Sequence, residues 1–177
     1  KMVRAVLRIE GMRLPDQQKP LGVVFRMKRF QRACMDMTGL GLGLFEYSQE
    51  EFGASRIQGI NFASTVPTTN RIKLEGRKQE TVRVTEALAT ELLQTYEDRT
   101  IKHPVDNTLR EDLRKPEKIT SPGGRVSIAA TRDDAGHADH FWSFALANEA
   151  AATTSGTGEH QVITSSVLPT RRGAVWL

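Results

Sequence analysis

The sequence predicts an α/β domain, a mixed or parallel sheet flanked by helices. Three observations point to it. Apolar runs of strand length alternate with longer segments of helical period through residues 1–62, giving strand–helix–strand–helix–strand. One such run, Ala33-Cys34-Met35, closes on Asp36 and the turn Thr38-Gly39-Leu40-Gly41. A strongly apolar helix, Phe141-Trp142-Ser143-Phe144-Ala145-Leu146-Ala147, opens on Asp139, with His137 and His140 on either side. An acid at a strand end and another at a helix start is the layout of a carboxylate metal site on such a scaffold.

Taken in order, Met2-Val3-Arg4-Ala5-Val6-Leu7-Arg8-Ile9 alternates imperfectly and predicts a strand. Leu14-Pro15-Asp16 turns into a helix over 16–29, where Pro20 is tolerated near the first turn and Gly22 weakens the pattern. Residues 31–36 form a short buried strand, with Cys34 and Asp36 on one face and Ala33 and Met35 on the other. A helix over 40–52 lines up Leu40, Leu44, Ser48 and Phe52, with Phe45 widening the stripe and Gly53 as C-cap. Residues 56–62 are the next strand. Residues 63–82 are polar and Thr-rich without a period and are expected to be a loop. A helix over 83–98 aligns Val84, Leu88, Leu92 and Tyr96. Lys102-His103-Pro104 ends an extended piece, and Asn107 is the expected N-cap of a short helix over 108–114. Lys118-Ile119-Thr120 and Arg125-Val126-Ser127-Ile128-Ala129 flank Ser121-Pro122-Gly123-Gly124, a hairpin signal. The last helix runs 137–151. The rest, 152–177, reads as a flexible tail whose Arg171-Arg172 and Ala174-Val175-Trp176-Leu177 either fray or dock on a partner.

Composition bounds the function classes. The chain has 177 residues, 38% hydrophobic and 26% charged, ordinary for one soluble domain plus a tail. A single Cys34 rules out an internal disulfide framework and a cysteine-based zinc site, and its apolar run makes it a small buried hydrophobe in a reducing, cytoplasmic setting. No run is apolar enough for a membrane span or a signal peptide, and the opening in mid-strand suggests a piece of something longer. The net charge of +4 is uneven: residues 1–32 hold nine Lys/Arg against Glu10 and Asp16, densest at Arg26-Met27-Lys28-Arg29-Phe30-Gln31-Arg32. Such a patch attracts a polyanion, or is simply a solvated helix end.

Asp36 and Asp139 are the candidate metal ligands. Hard cations such as Mg²⁺ and Mn²⁺ favour carboxylate oxygen, and two of them about 4 Å apart activate water and stabilise the leaving oxygen in phosphodiester cleavage. Singly, either Asp is an ordinary cap or turn residue. His137 is placed to position water or move a proton. Asp133 and Asp134 could substitute for Asp139 or form the turn before it. His137 and His140 would make a zinc site only with a third ligand, and neither His103 nor His160 is placed by a motif. Gly39-Leu40-Gly41-Leu42-Gly43 lacks the Gly-Lys-Ser/Thr of a phosphate loop, so its glycines serve the turn and the helix packing.

Those residues resemble a family. Arg32-Ala33-Cys34-Met35-Asp36-Met37-Thr38-Gly39-Leu40-Gly41, then Glu46 and Phe52-Gly53, is similar to the second acidic motif of the large terminase subunit of tailed bacteriophages, especially the Mu-like branch. Leu109-Arg110-Glu111-Asp112-Leu113 and the hairpin resemble the segment before its third motif. Gly136-His137-Ala138-Asp139-His140-Phe141-Trp142 with Ala145-Leu146-Ala147 resembles the third motif itself. The resemblance covers residues 1–151, poorly over 63–82.

It implies a ribonuclease H-like sheet flanked by helices and truncated at its N-terminal edge. It further implies an endonuclease that cuts concatemeric double-stranded phage DNA during packaging with two divalent ions, Mg²⁺ or Mn²⁺, in the host cytoplasm. Asp36 and Asp139 become metal ligands and His137 an accessory catalytic residue. The partners implied are double-stranded DNA, the small terminase subunit and the portal, with no membrane. The family's first catalytic Asp lies on a strand before residue 1 and its ATPase further upstream, and Glu10 matches no motif, so the chain alone is expected to be a weak or inactive nuclease. Two other readings stand beside it: a non-catalytic DNA-docking or assembly module, and another ribonuclease H-like nuclease such as a junction resolvase.

Overall fold

A computed structural model describes residues 1–67, 81–122, 126–130 and 138–153. The class is mixed α/β. Among the described residues the strands pair two by two, and the chain divides into two compact units: 5–62 with 149–177, which carries Asp36, and 1–4 with 63–148, which carries Asp139.

The Asp36 unit is built as the hydrophobic periods predict. Helix α1 (Leu14–Phe25) has Pro15 in its first turn, where a missing N–H costs nothing. It ends four residues before the sequence reading placed its end, and Pro20 sits inside it rather than in the first turn. Leu21, Gly22 and Phe25 form its buried face. Strand β1 (Ala33–Asp36) pairs in parallel with β2 (Ile57–Ile60), Cys34 opposite Gln58 and Asp36 opposite Ile60. Between them runs α2 (Leu42–Phe52), closed by Gly53 at φ 90°, whose N–H donates to Gln49 O at 2.8 Å.

Leu40 was expected to start the stripe of α2 but lies outside the helix, 66% exposed, so the buried face is Leu42, Leu44, Phe45 and Ser48. Leu42, Leu44 and Phe45 pack with Leu21, Phe25, Met35 and Ile57 into one apolar cluster. Met35 is 0% exposed there, so the face of β1 carrying Ala33 and Met35 is the core face, as its period-2 pattern requires. Phe25 meets Phe30 at 5.0 Å in a tilted contact and Phe52 at 5.2 Å edge-on, ring contacts that add to the area they bury.

The strand expected over 2–9 does not form. Met2 makes one parallel bridge to Lys102, and residues 4–8 are exposed. Strand propensity stabilises nothing until a neighbour satisfies the backbone groups, and no described segment pairs with residues 5–10.

In the Asp139 unit, β3 (Thr65–Pro67) and β4 (Thr81–Arg83) pair antiparallel, which replaces the loop expected at both ends of 63–82; residues 68–80 lie outside the described residues. Helix α3 (Val84–Glu97) buries Val84, Leu88 and Leu92 at the expected spacing. Helix α4 (Asn107–Asp112) is capped by Asp106, not Asn107: the Asp106 Oδ1 accepts the Leu109 N–H at 2.7 Å. The hairpin stands as β5 (Pro116–Thr120) against β6 (Val126–Ala130), Thr120 opposite Val126, with turn residues 123–125 outside the described ones. Helix α5 (Asp139–Thr153) begins in this unit, on the acid singled out from sequence, and its residues from 149 on are counted with the other. The tail from residue 154 lies outside the described residues.

Candidate functional site

Asp36 is the last residue of β1, paired with Ile60 at the carboxyl end of two parallel strands, the end at which open α/β sheets hold their ligands. Three bonds fix it. Its Oδ1 accepts the Thr38 N–H at 2.8 Å, an Asx turn that bends the chain off the strand. Thr38 Oγ1 accepts the Phe62 N–H at 2.9 Å, and Met37 N–H donates to Ile60 O at 3.0 Å. The turn is therefore stitched to the segment after β2. Gly39, at φ 59°, then lets the chain enter α2. Asp36 is half-buried, and burial raises its carboxyl above the ordinary value even though the Thr38 hydroxyl and N–H pull the other way.

Cys34 lies on the same face as Asp36, two residues back. Burial pushes its thiol up to about 12, which fits a packed hydrophobe and not a nucleophile. Gln58 Oε1 accepts from the Arg32 guanidinium and faces the Cys34 thiol at 3.8 Å. The basic stretch is partly neutralised: Arg8 pairs with Glu10, Arg13 and Lys19 with Asp16, and Arg26 with Glu51. Exposed Lys28 and Arg29 have no ion pair among the described residues.

Asp139 opens α5, where unpaired N–H groups and the helix dipole favour negative charge. Its carboxylate has no hydrogen-bond or ionic partner among the described residues. The residue before it, Ala138, is fully buried at φ 61°, an uncommon conformation for alanine, and its carbonyl accepts the Trp142 N–H at 3.1 Å.

Asp112 was missed as a contributor to this end of α5. It is 4% exposed, and its Oδ2 accepts the His140 N–H at 2.7 Å and lies 3.1 Å from His140 Nδ1. Lys115 Nζ sits 3.1 Å from its Oδ1. One signal was available: Asp112 falls three residues after buried Leu109, on the apolar face of a helix where an acid needs a partner. His103, weighed as a zinc ligand, has its ring against Tyr96 and Phe144 and its Nδ1 at 2.8 Å from Pro104 O. His137, Asp133, Asp134 and His160 lie outside the described residues.

Asp36 and Asp139 belong to different units. Among the described residues no group of three or more His, Cys, Asp and Glu converges to hold a metal. The donors singled out are nonetheless of the right kind: two half-buried carboxylates, one with its Oδ1 anchored, suit Mg²⁺ or Mn²⁺ rather than a thiolate-seeking metal. No described helix is long and apolar enough to cross a membrane. Comparison with protein-family models, with curated proteins and with solved structures returned no match.

Proposed function

We propose that the chain is the metal-dependent endonuclease domain of a phage DNA-packaging terminase, ribonuclease H-like in fold, acting on double-stranded DNA. The observation that carries the reading is Asp36: a carboxylate held by an Asx turn at the carboxyl end of a parallel strand, half-buried and reluctant to ionise. Burying a charge-bearing group costs stability, and a cation beside it would offset that cost. The placement of Asp139 at the start of α5 supports the same reading.

Asp36 and Asp139 are the residues that would hold Mg²⁺ or Mn²⁺, which when bound would supply an activated water and stabilise the leaving oxygen. Thr38 orients the Asp36 carboxylate. His137 is proposed as the accessory group that positions water. The partners proposed with it are the small terminase subunit and the portal.

The test is Mn²⁺ binding by the purified chain, with plasmid cleavage as a second readout. Micromolar to millimolar Mn²⁺ uptake that Asp36→Asn and Asp139→Asn each remove supports the reading. Efficient cleavage that survives Asp36→Asn overturns it. Exposed Lys28 and Arg29, without acidic partners among the described residues, favour a second reading, a DNA-docking module. It predicts binding that weakens steeply with salt and ignores Mg²⁺.

A further inference from the structure

Among the described residues no side chain directly ahead of α5 caps it. The residue before it is Ala138, whose methyl group can accept nothing, and its positive φ turns the chain sharply just ahead of Asp139. The N–H groups of the first turn need an acceptor from elsewhere. Asp112 supplies it from 28 residues away in sequence. Its Oδ2 takes the His140 N–H, and its Oδ1 faces the Lys115 ammonium. With both oxygens engaged and the residue 4% exposed, Asp112 is built into the protein and not offered to a ligand.

The atom it grips matters. The His140 N–H belongs to the rigid peptide plane that joins Asp139 to His140, so holding that N–H fixes the plane to which Asp139 itself is attached. His140 Nδ1, at 3.1 Å from the same oxygen, places a second contact on the same turn.

We propose that Asp112 is a positioning residue for Asp139, clamping the first turn of α5 so that the Asp139 carboxylate is presented in one fixed direction to a divalent cation. The inference rests on the metal-binding reading above. Asp112 touches neither cation nor substrate in it; it acts through the backbone of Asp139. Partners that orient a metal ligand are worth about 10–100-fold in metal affinity.

The experiment uses the full chain and Mn²⁺ alone, with free Mn²⁺ read by electron paramagnetic resonance, and hydrogen exchange at the His140 amide read by NMR. Circular dichroism confirms that each variant is folded. Asp112→Asn keeps an acceptor oxygen but loses the charge; Asp112→Ala loses both. Asp112→Asn is expected to weaken Mn²⁺ binding about tenfold at unchanged helix content, with Asp112→Ala weaker still, and in both the His140 amide exchanges faster. A merely structural cap would lower the unfolding midpoint and leave the affinity of folded molecules alone.

Folded Asp112 variants that bind Mn²⁺ like the parent, while Asp139→Asn does not, overturn the clamp and spare the metal reading. Asp139→Asn binding like the parent overturns the metal reading and the clamp with it. Should neither Asp112 variant fold, the parent decides: a His140 amide that exchanges as fast as an exposed loop amide shows that no clamp holds it.

Discussion

Asp36 Oδ1 and the main-chain N–H of Thr38 lie 2.8 Å apart, and that bond makes the acid at the end of β1 part of the turn that leaves it. Asparagine can accept the same bond while carrying no charge. Burial raises the Asp36 carboxyl above its unfolded value, so between the two values the folded chain holds a proton that the unfolded chain has given up. Stability therefore falls as pH rises through that window and stays lower above it. Asp36→Asn is expected to be the more stable protein at pH 7, seen as a higher Tm. The gap should close as pH falls below the ordinary carboxylate value, where the unfolded parent chain also holds its proton at this position. Thermal melts of the two proteins from pH 3 to 8 check it.

Adding a divalent cation should reverse that order. A ligand at 100 times its Kd stabilises the form that binds it by about 2.7 kcal/mol. Mn²⁺ is expected to raise the Tm of the parent chain and leave Asp36→Asn where it was; equal shifts in both would place the cation elsewhere.

The Cys34 thiol, buried and pushed up to about 12, should be inert in the native chain. At pH 8 only about one thiol in 10⁴ is ionised, and the thiolate is the reacting form. A disulfide reagent is expected to label one cysteine per chain rapidly in urea and orders of magnitude more slowly without it.

Gly59 faces Met37 and Phe45 across the β2–α2 contact. A Cβ there would meet the Met37 sulfur at 2.7 Å and the Phe45 ring at 2.8 Å. The sulfur can swing away; the Phe45 ring, buried in the core cluster, cannot. Gly59→Ala should cost about 1–3 kcal/mol by overpacking, read from urea unfolding.

Ala138 tests the turn into α5. Its left-handed backbone costs about 1–2 kcal/mol for a residue with a Cβ, while its buried methyl is worth about 0.8 kcal/mol. Ala138→Gly removes both and should be neutral or slightly stabilising in urea unfolding. A loss above about 2 kcal/mol would mean that this backbone turn is not the one described.

Much of the Asp36 unit was legible without coordinates. The strands expected over 31–36 and 56–62 form, shortened to 33–36 and 57–60; they, the helix between them, the glycine that closes it and the opposed faces of Met35 and Cys34 follow from periods of 2.0 and 3.6 in burial, which are written locally. The acid at the start of α5 was legible for the same reason: a charged residue directly before an apolar helix marks its first turn.

Choice of partner is not a local property, and there the tertiary structure decided. Residues 2–9 have strand character, but among the described residues they meet no neighbouring strand beyond the bridge at Met2, and no sheet forms there. Thr65–Pro67 has no helical or strand period worth reading, yet it pairs with Thr81–Arg83 because the chain returns beside it. Asp106 took the cap expected of Asn107 because its side chain, one residue earlier, reaches the Leu109 N–H. Asp112 gained its role only when folding carried the end of α4 to the His140 N–H, 28 residues on. The amino-acid order determined which segments are helix or strand and which faces are apolar, since each depends on neighbours a few residues away. Which backbone groups satisfy one another across the chain depends on where distant segments come to rest, and only the folded molecule supplies that.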